Sequence, residues 1–155
     1  MAKIADHYKF GFSKYGLIVF LLQELPYLFW LLFPPHNNPL LNNIPQNAIL
    51  GSLEKIGGVL SICTLMLIIN KSFSCTKFKG KLFFLCLSCL GIYYICWICY
   101  LFGVTNALML VLGMTAIVPI YYLFAALWLK NYFAVAASVM FLIGHTGSNI
   151  INFLL

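Results

Sequence analysis

Four ionisable side chains stand inside long apolar stretches of this 155-residue chain: Glu24, Glu54, Lys55 and His145. Carboxylates and an imidazole take up and release protons, accept or donate hydrogen bonds to a polar ligand, and neutralise a bound charge. At the centre of a membrane helix each such group costs about 2.5–3.5 kcal/mol on insertion scales, so its presence marks a function by default. What these residues can do depends on the elements that carry them.

The composition says what those elements are. Hydrophobic residues make up 63% of the chain and charged residues only 8%, where a soluble domain has about 25% charged. Three acids cannot cover a water-facing surface, which excludes a soluble enzyme, a disordered regulator and a fibrous repeat. A membrane helix needs about 20 mostly apolar residues. Five stretches qualify, at 11–33, 48–69, 82–102, 107–129 and 133–155. Runs such as Leu82-Phe83-Phe84-Leu85 do not alternate as strands of a membrane barrel would. The expected fold is all-α: a polytopic transmembrane bundle of five spans in a single domain, 1–155, with no space for a soluble module. Pro34-Pro35 ends the first span, because proline lacks an amide donor and constrains the residue before it. Its basic lead resembles that of a signal peptide, but the apolar region is too long and lacks a cleavage site, so a retained anchor is expected.

Lysine supplies all nine positive charges. Lys3, Lys9 and Lys14 precede the first span; Lys71, Lys77, Lys79 and Lys81 lie between the second and third; Lys130 joins the fourth to the fifth. With five spans all eight fall on one side. The positive-inside rule then places the N-terminus in the cytoplasm and the C-terminus outside. Lysines beside helix ends meet anionic headgroups, so the net charge of +6 calls for no nucleic acid. Lysine without arginine, beside many Asn and Ile, hints at an AT-rich genome.

Counted along the helices at 1.5 Å per residue, Glu24 lies about 13 Å from the outer end, Glu54 about 9 Å and His145 about 15 Å. All three belong to the outer half of the bilayer. Other polar and aromatic groups share that depth: Gln23, Tyr27 and Trp30 along the first span; Gly58 and Ser61 beside Glu54; Tyr93, Trp97 and Tyr100 on the third; Thr115 and Pro119 on the fourth; Ser148 and Asn149 beside His145. Each set recurs at helical spacing. The expectation is a hydrated or ligand-filled cavity in the outer half. Against it stands a structural alternative, in which Glu24 pairs with Lys55 and His145 with Glu54 to hold the helices together. Lys55 follows Glu54 directly and so points about 100° away from it, free to snorkel outward.

The expected ligand-binding or proton-carrying residues are therefore Glu24, Glu54, His145, Gln23, Lys55, Asn149, Tyr93 and Trp97. None is assigned as catalytic. Four cysteines, Cys86, Cys89, Cys96 and Cys99, imitate metal spacing on the third span. Cys86 and Cys99 lie about 20 Å apart along one helix and cannot share an ion. The cysteines are expected to pack as small hydrophobes, with Cys75, in the cytoplasmic loop, staying reduced. No metal or cofactor is expected.

Phe141-x-x-x-His145-x-x-x-Asn149 resembles the Phe-x-x-x-His and His-x-x-x-Asn pieces of the intramembrane glutamate proteases of the CAAX-processing and bacteriocin-immunity type. That family carries the pieces on separate helices beside a Glu-Glu-x-x-x-Arg motif. Here they share one histidine, Gln23-Glu24 stands for the glutamate pair, and the chain has no arginine. A second set of phrases is similar to an uncharacterised group of small membrane proteins from Gram-positive bacteria: Gln23-x-Leu25-Pro26 with Trp30, Phe33-Pro34-Pro35 with Asn38-Pro39, Leu53-Glu54-Lys55-Ile56-Gly57, Tyr93-Tyr94-x-x-Trp97 and Gly144-His145. That resemblance implies a multi-pass protein of a bacterial plasma membrane and no particular activity.

Three functions fit these residues. One is a binder or transporter of a small molecule or lipid. Another is an accessory or immunity-type protein that packs on a partner. The third is an intramembrane enzyme using Glu and His. The expected partners are membrane lipid, a small-molecule ligand, and a second copy or another membrane protein; small-residue faces at Ala134/Ser138 and Gly144/Ser148 either offer that contact or bury the fifth span within its own bundle. The lysine distribution gives a direct test of orientation. A reporter active only outside the cytoplasm should work when fused after Leu155 and be silent when inserted after Lys81; the reverse pattern would invert the topology.

Overall fold

The computed structural model describes residues 7–73 and 80–155. Lys3, Cys75, Lys77 and Lys79 lie outside the described residues. Five helices are long and apolar enough to cross a membrane. Helix α1, Lys14–Leu32, is opened by Ser13, whose hydroxyl accepts the Gly16 N–H at 3.1 Å. Helix α2, Ala48–Leu67, is opened by Asn47, whose side chain accepts from Ile49 and Leu50. Helix α3 spans Lys81–Leu101. The fourth span, Met109–Trp128, begins after Asn106, which accepts from Leu108 and Met109. Its first eight residues, Met109–Ala116, wind as a π-helix, and Ile117–Trp128 continue it as α4. Helix α5, Tyr132–Leu154, starts at Asn131. The side-chain caps satisfy amides that have no partner within their own helix. Observed and expected spans differ by no more than a few residues at each end.

The fourth span is the centre of the bundle. In its apolar window 67% of residues are buried, against 22–33% in the other four. Glycines set the closest approaches around it. A Cβ added at Gly57 would lie 2.5 Å from the Phe141 backbone nitrogen, and one at Gly144 would collide with the Glu54 amide. Antiparallel α2 and α5 therefore touch backbone to backbone, as small residues permit in membranes. Gly16 brings α1 against the Leu65 carbonyl in the same way. Ala134, Ser138, Gly144 and Ser148 are all buried within this bundle. Of the two expectations for these small residues, burial of the fifth span within its own bundle is the one observed. Leucines and phenylalanines such as Leu28, Leu32 and Phe84 point outward instead, as a lipid solvent allows.

One end of the bundle is tied by short-range polar structure that apolar periodicity does not announce. Strand β1, Tyr8–Phe10, pairs antiparallel with β2, Ile68–Asn70, with Lys9 opposite Ile69. Asn131 is 1% exposed. Its amide donates to the carbonyls of Thr64 at 2.8 Å and Ile68 at 2.9 Å, while its oxygen caps Ala134. Lys130, at φ 56°, occupies the left-handed region, which a non-glycine residue adopts only when neighbours hold it. The holders are Asn70 and the Tyr8 hydroxyl, both donating to the Lys130 carbonyl. Lys9, Lys14, Lys71, Lys81 and Lys130 gather at this end, and the connections at the other end, 33–47 and 102–108, hold none.

Asn131→Ala removes one amide group that serves three backbone partners. It should destabilise the protein by about 1–3 kcal/mol, the range for leaving buried polar groups unpaired. Thermal unfolding in mild detergent should show a clear drop for Asn131→Ala and none for the exposed Asn42→Ala; equal midpoints would remove Asn131 from the scaffold.

Candidate functional site

The site begins with a proline. Pro26 stands within α1 and has no N–H for the Leu22 carbonyl four residues earlier. In hydrocarbon that carbonyl needs another donor. The Tyr94 hydroxyl of α3 supplies it at 2.7 Å. One residue further along, Gln23 lies 7% exposed inside the bundle. Its amide donates to the Tyr93 hydroxyl at 3.2 Å, and its carbonyl oxygen accepts from the Tyr122 hydroxyl at 2.6 Å. Tyr121 donates to the Val19 carbonyl at 3.0 Å. α1, α3 and α4 are thus locked together at one depth.

The connection 33–47 closes the same region from the end opposite the lysines. It carries a short 3-10 turn, Pro39–Asn42. Asn38 Oδ1 accepts from the Trp30 indole at 3.2 Å and from the Tyr100 hydroxyl at 2.6 Å. Asn43 donates to Asn149 at 2.8 Å and accepts from Asn152 at 2.6 Å. Asparagine, polar but uncharged, can both donate and accept from one side chain, which suits a loop bound to three helices at once.

Between the Gln23 layer and this loop lies a cavity of about 360 Å³. All five spans reach it. α1 contributes Gln23, Glu24, Tyr27 and Trp30, and α3 contributes Tyr93 and Trp97. The fourth span adds Met114, Thr115, Val118 and Tyr122, α5 adds Phe141 and His145, and Gly58 and Ile62 come from α2. Leu40 and Asn43 of the loop complete it. Its wall is mostly apolar and aromatic with a few polar groups, the usual make-up of a ligand site, and its size is at the small end of the roughly 300–1,000 Å³ that such sites occupy.

Five of the residues chosen by type and depth therefore line one cavity: Gln23, Glu24, Tyr93, Trp97 and His145. Glu54 stands behind His145, with its Oε1 2.8 Å from the imidazole Nδ1, and both are about one-fifth exposed, at 21% and 20%. Nε2 of His145 has no protein partner among the described residues. Asn149 is buried beside the cavity, donating to the His145 carbonyl at 2.7 Å and accepting from Asn43. Lys55 is exposed and does not line the cavity. The envisaged Glu24–Lys55 pair is absent; Glu54–His145 is the ion pair among the described residues. The reason is helical geometry: one residue past Glu54, Lys55 points to the outside of α2, where a long stem can carry its ammonium toward the interface.

Glu24 differs from the other polar residues here. It faces the cavity half-buried and forms no hydrogen bond or ion pair with any described residue. Sequence reasoning missed Tyr122 and Asn43. Tyr122 follows Thr115 by seven residues and so shares its face, a signal that was available. Asn43 was one of several loop asparagines with nothing to single it out.

The cysteines pack. Cys86 and Cys89 are buried on the α3 stripe, and Gly113 admits the Cys96 sulfur against the fourth span. No group of three His, Cys, Asp or Glu side chains suited to an ion occurs among the described residues. Phe141 and His145 lie with ring centroids 4.9 Å apart, and both face the cavity. No family model, curated protein or solved structure matches this chain. The two resemblances drawn from short motifs thus rest on those motifs alone.

The two neighbours Gln23 and Glu24 should separate in a stability experiment. Gln23→Leu strands the Tyr93 and Tyr122 hydroxyls and should cost about 1–3 kcal/mol. Glu24→Gln breaks no bond to the described residues and should leave unfolding unchanged within about 0.5 kcal/mol. Equal losses would assign Glu24 to the structural framework.

Proposed function

We propose that this multi-pass membrane protein binds a small molecule or a lipid in the cavity shared by its five spans. With the lysine-bearing end in the cytoplasm, the cavity lies in the outer half of the bilayer and the asparagine-rich loop covers it from outside. The observation that carries this reading is Glu24. A carboxylate at membrane depth is costly, and a purely structural one would be used by neighbouring side chains, as Gln23 is. Glu24 instead faces the cavity with no partner among the described residues.

The Glu54–His145 pair adds a second capacity. With Nδ1 held by a carboxylate, the imidazole is fixed in orientation and its other nitrogen is left for a ligand or a proton. This supports a proton-carrying role for His145 beside the bound molecule. Bundle size bears on transport. Five spans make a thin bundle, in which transport would call for a second copy or a partner subunit, so binding is the simpler reading of the two.

Native mass spectrometry of protein extracted from membranes in mild detergent tests the proposal. A small molecule or specific lipid should be retained by the natural protein and lost in Glu24→Gln. A bare monomer with an identical spectrum for the variant would overturn it and direct attention to partner proteins.

A further inference from the structure

We propose that the ligand of this cavity is an organic cation, an amine or quaternary ammonium group seated against Glu24 within aromatic walls. The inference rests on the binding reading above and names its chemical class. Three observations carry it. The first is the charge distribution. The chain bears nine lysines and three acids, yet of the two described acids Glu24 lines the cavity and Glu54 stands behind its His145, and no described lysine lines it. Glu54 is held by His145 at 2.8 Å, whereas Glu24 has no partner among the described residues. A negative charge in a low-dielectric wall favours a cation over any neutral or anionic occupant.

The second observation is the wall itself. Tyr27, Trp30, Tyr93, Trp97, Tyr122 and Phe141 all line the cavity. Their rings lie at angles to one another rather than stacked flat: Trp30 and Trp97 meet at 56°, and Tyr93 and Trp97 at 84°. Ring faces attract a cation through their quadrupole, and enclosure by several aromatic rings is how quaternary ammonium groups are recognised. The third is size. About 360 Å³ holds a compact head with a short apolar body. A lipid ammonium headgroup and a free amphiphilic amine have this same chemistry.

Binding can be read from the fluorescence of Trp30 and Trp97, using the detergent-purified full chain. Benzyltrimethylammonium is the probe, and neopentylbenzene is its neutral carbon isostere. The cation should bind about thirtyfold more tightly than the isostere, the ratio for a desolvated cation–π contact of about 2 kcal/mol. Glu24→Gln, which removes the carboxylate and keeps the rings, should lower that preference severalfold. Tyr27→Leu, which removes one ring that makes no hydrogen bond to the described residues, should weaken the cation severalfold and the isostere little.

The source follows from vesicles of phosphatidylethanolamine and phosphatidylglycerol. Retention of phosphatidylethanolamine that benzyltrimethylammonium displaces identifies a headgroup; benzyltrimethylammonium binding with no retained lipid identifies a free amine. Equal binding of cation and isostere, or a cation preference left unchanged by Glu24→Gln, overturns the assignment of a cation against Glu24 while leaving a ligand cavity. Absence of binding by both probes, together with no co-purifying molecule, removes the cavity reading as well.

Discussion

Hydrocarbon offers no hydrogen bonds, so a polar group that this chain carries into the membrane gains by finding a partner within the protein. Most of the bundle follows from that constraint. Hydroxyls on the helices turn back onto their own backbone, as Ser61 does to Gly57, Thr64 to Leu60 and Thr115 to Val111. Such bonds satisfy the group without recruiting a neighbour. Gln23 cannot do this, having a donor and an acceptor that point apart. It therefore draws one tyrosine from α3 and another from the fourth span, and so fixes three helices with one amide. Pro26 has the same effect from the backbone side, because the carbonyl it abandons pulls in Tyr94. The hydrophobic effect does not bring helices together in lipid; glycine contacts and these few polar bonds give the arrangement its specificity.

The cavity is then what remains where the bonds stop. Toward the lysine-bearing end, the Gln23 layer, Asn131 and the β1–β2 ribbon close the structure. Toward the other end, the loop 33–47 is held by Asn38 and Asn43 through side-chain bonds to α1, α3 and α5. The two acids at the space between are incompletely bonded. Glu24 has no partner among the described residues, and Glu54, behind His145, uses one of its two carboxylate oxygens, leaving Oε2 buried and unpaired. A framework built only for stability would be expected to satisfy both.

The contrast between what was legible and what was not has a physical origin. The five spans were legible because the requirement for about 20 apolar residues acts on each segment separately. The common depth of Glu24, Glu54 and His145 was legible for a similar reason: residue counts along straight helices translate into distance. Partner choice is a different kind of information. That His145 meets Glu54 depends on Gly57 and Gly144 letting α2 and α5 touch, a fact about two segments more than 80 residues apart in sequence. The ribbon of Tyr8–Phe10 with Ile68–Asn70 is hidden likewise, since three-residue strands have no readable alternation. Asn131 looks like an ordinary turn residue until its neighbours, Thr64 and Ile68, are known.

The winding of the fourth span connects the framework to the cavity. A π-helix is rare, and its single turns occur mostly at functional positions; here Met109–Ala116 form one of eight residues. Its wider turns loosen the regular hydrogen-bond ladder. Pro119, just beyond, cannot donate to the Thr115 carbonyl at all. Irregular backbone is tolerated at membrane depth only where protein or a cavity shields it from lipid. The fourth span, the most buried of the five, is the one that can carry it. Met114 and Thr115, at the end of this run, face the cavity, as do Val118 and Tyr122 after it. Central burial therefore permits the irregular winding, and the winding falls where the central helix meets the space beside Glu24.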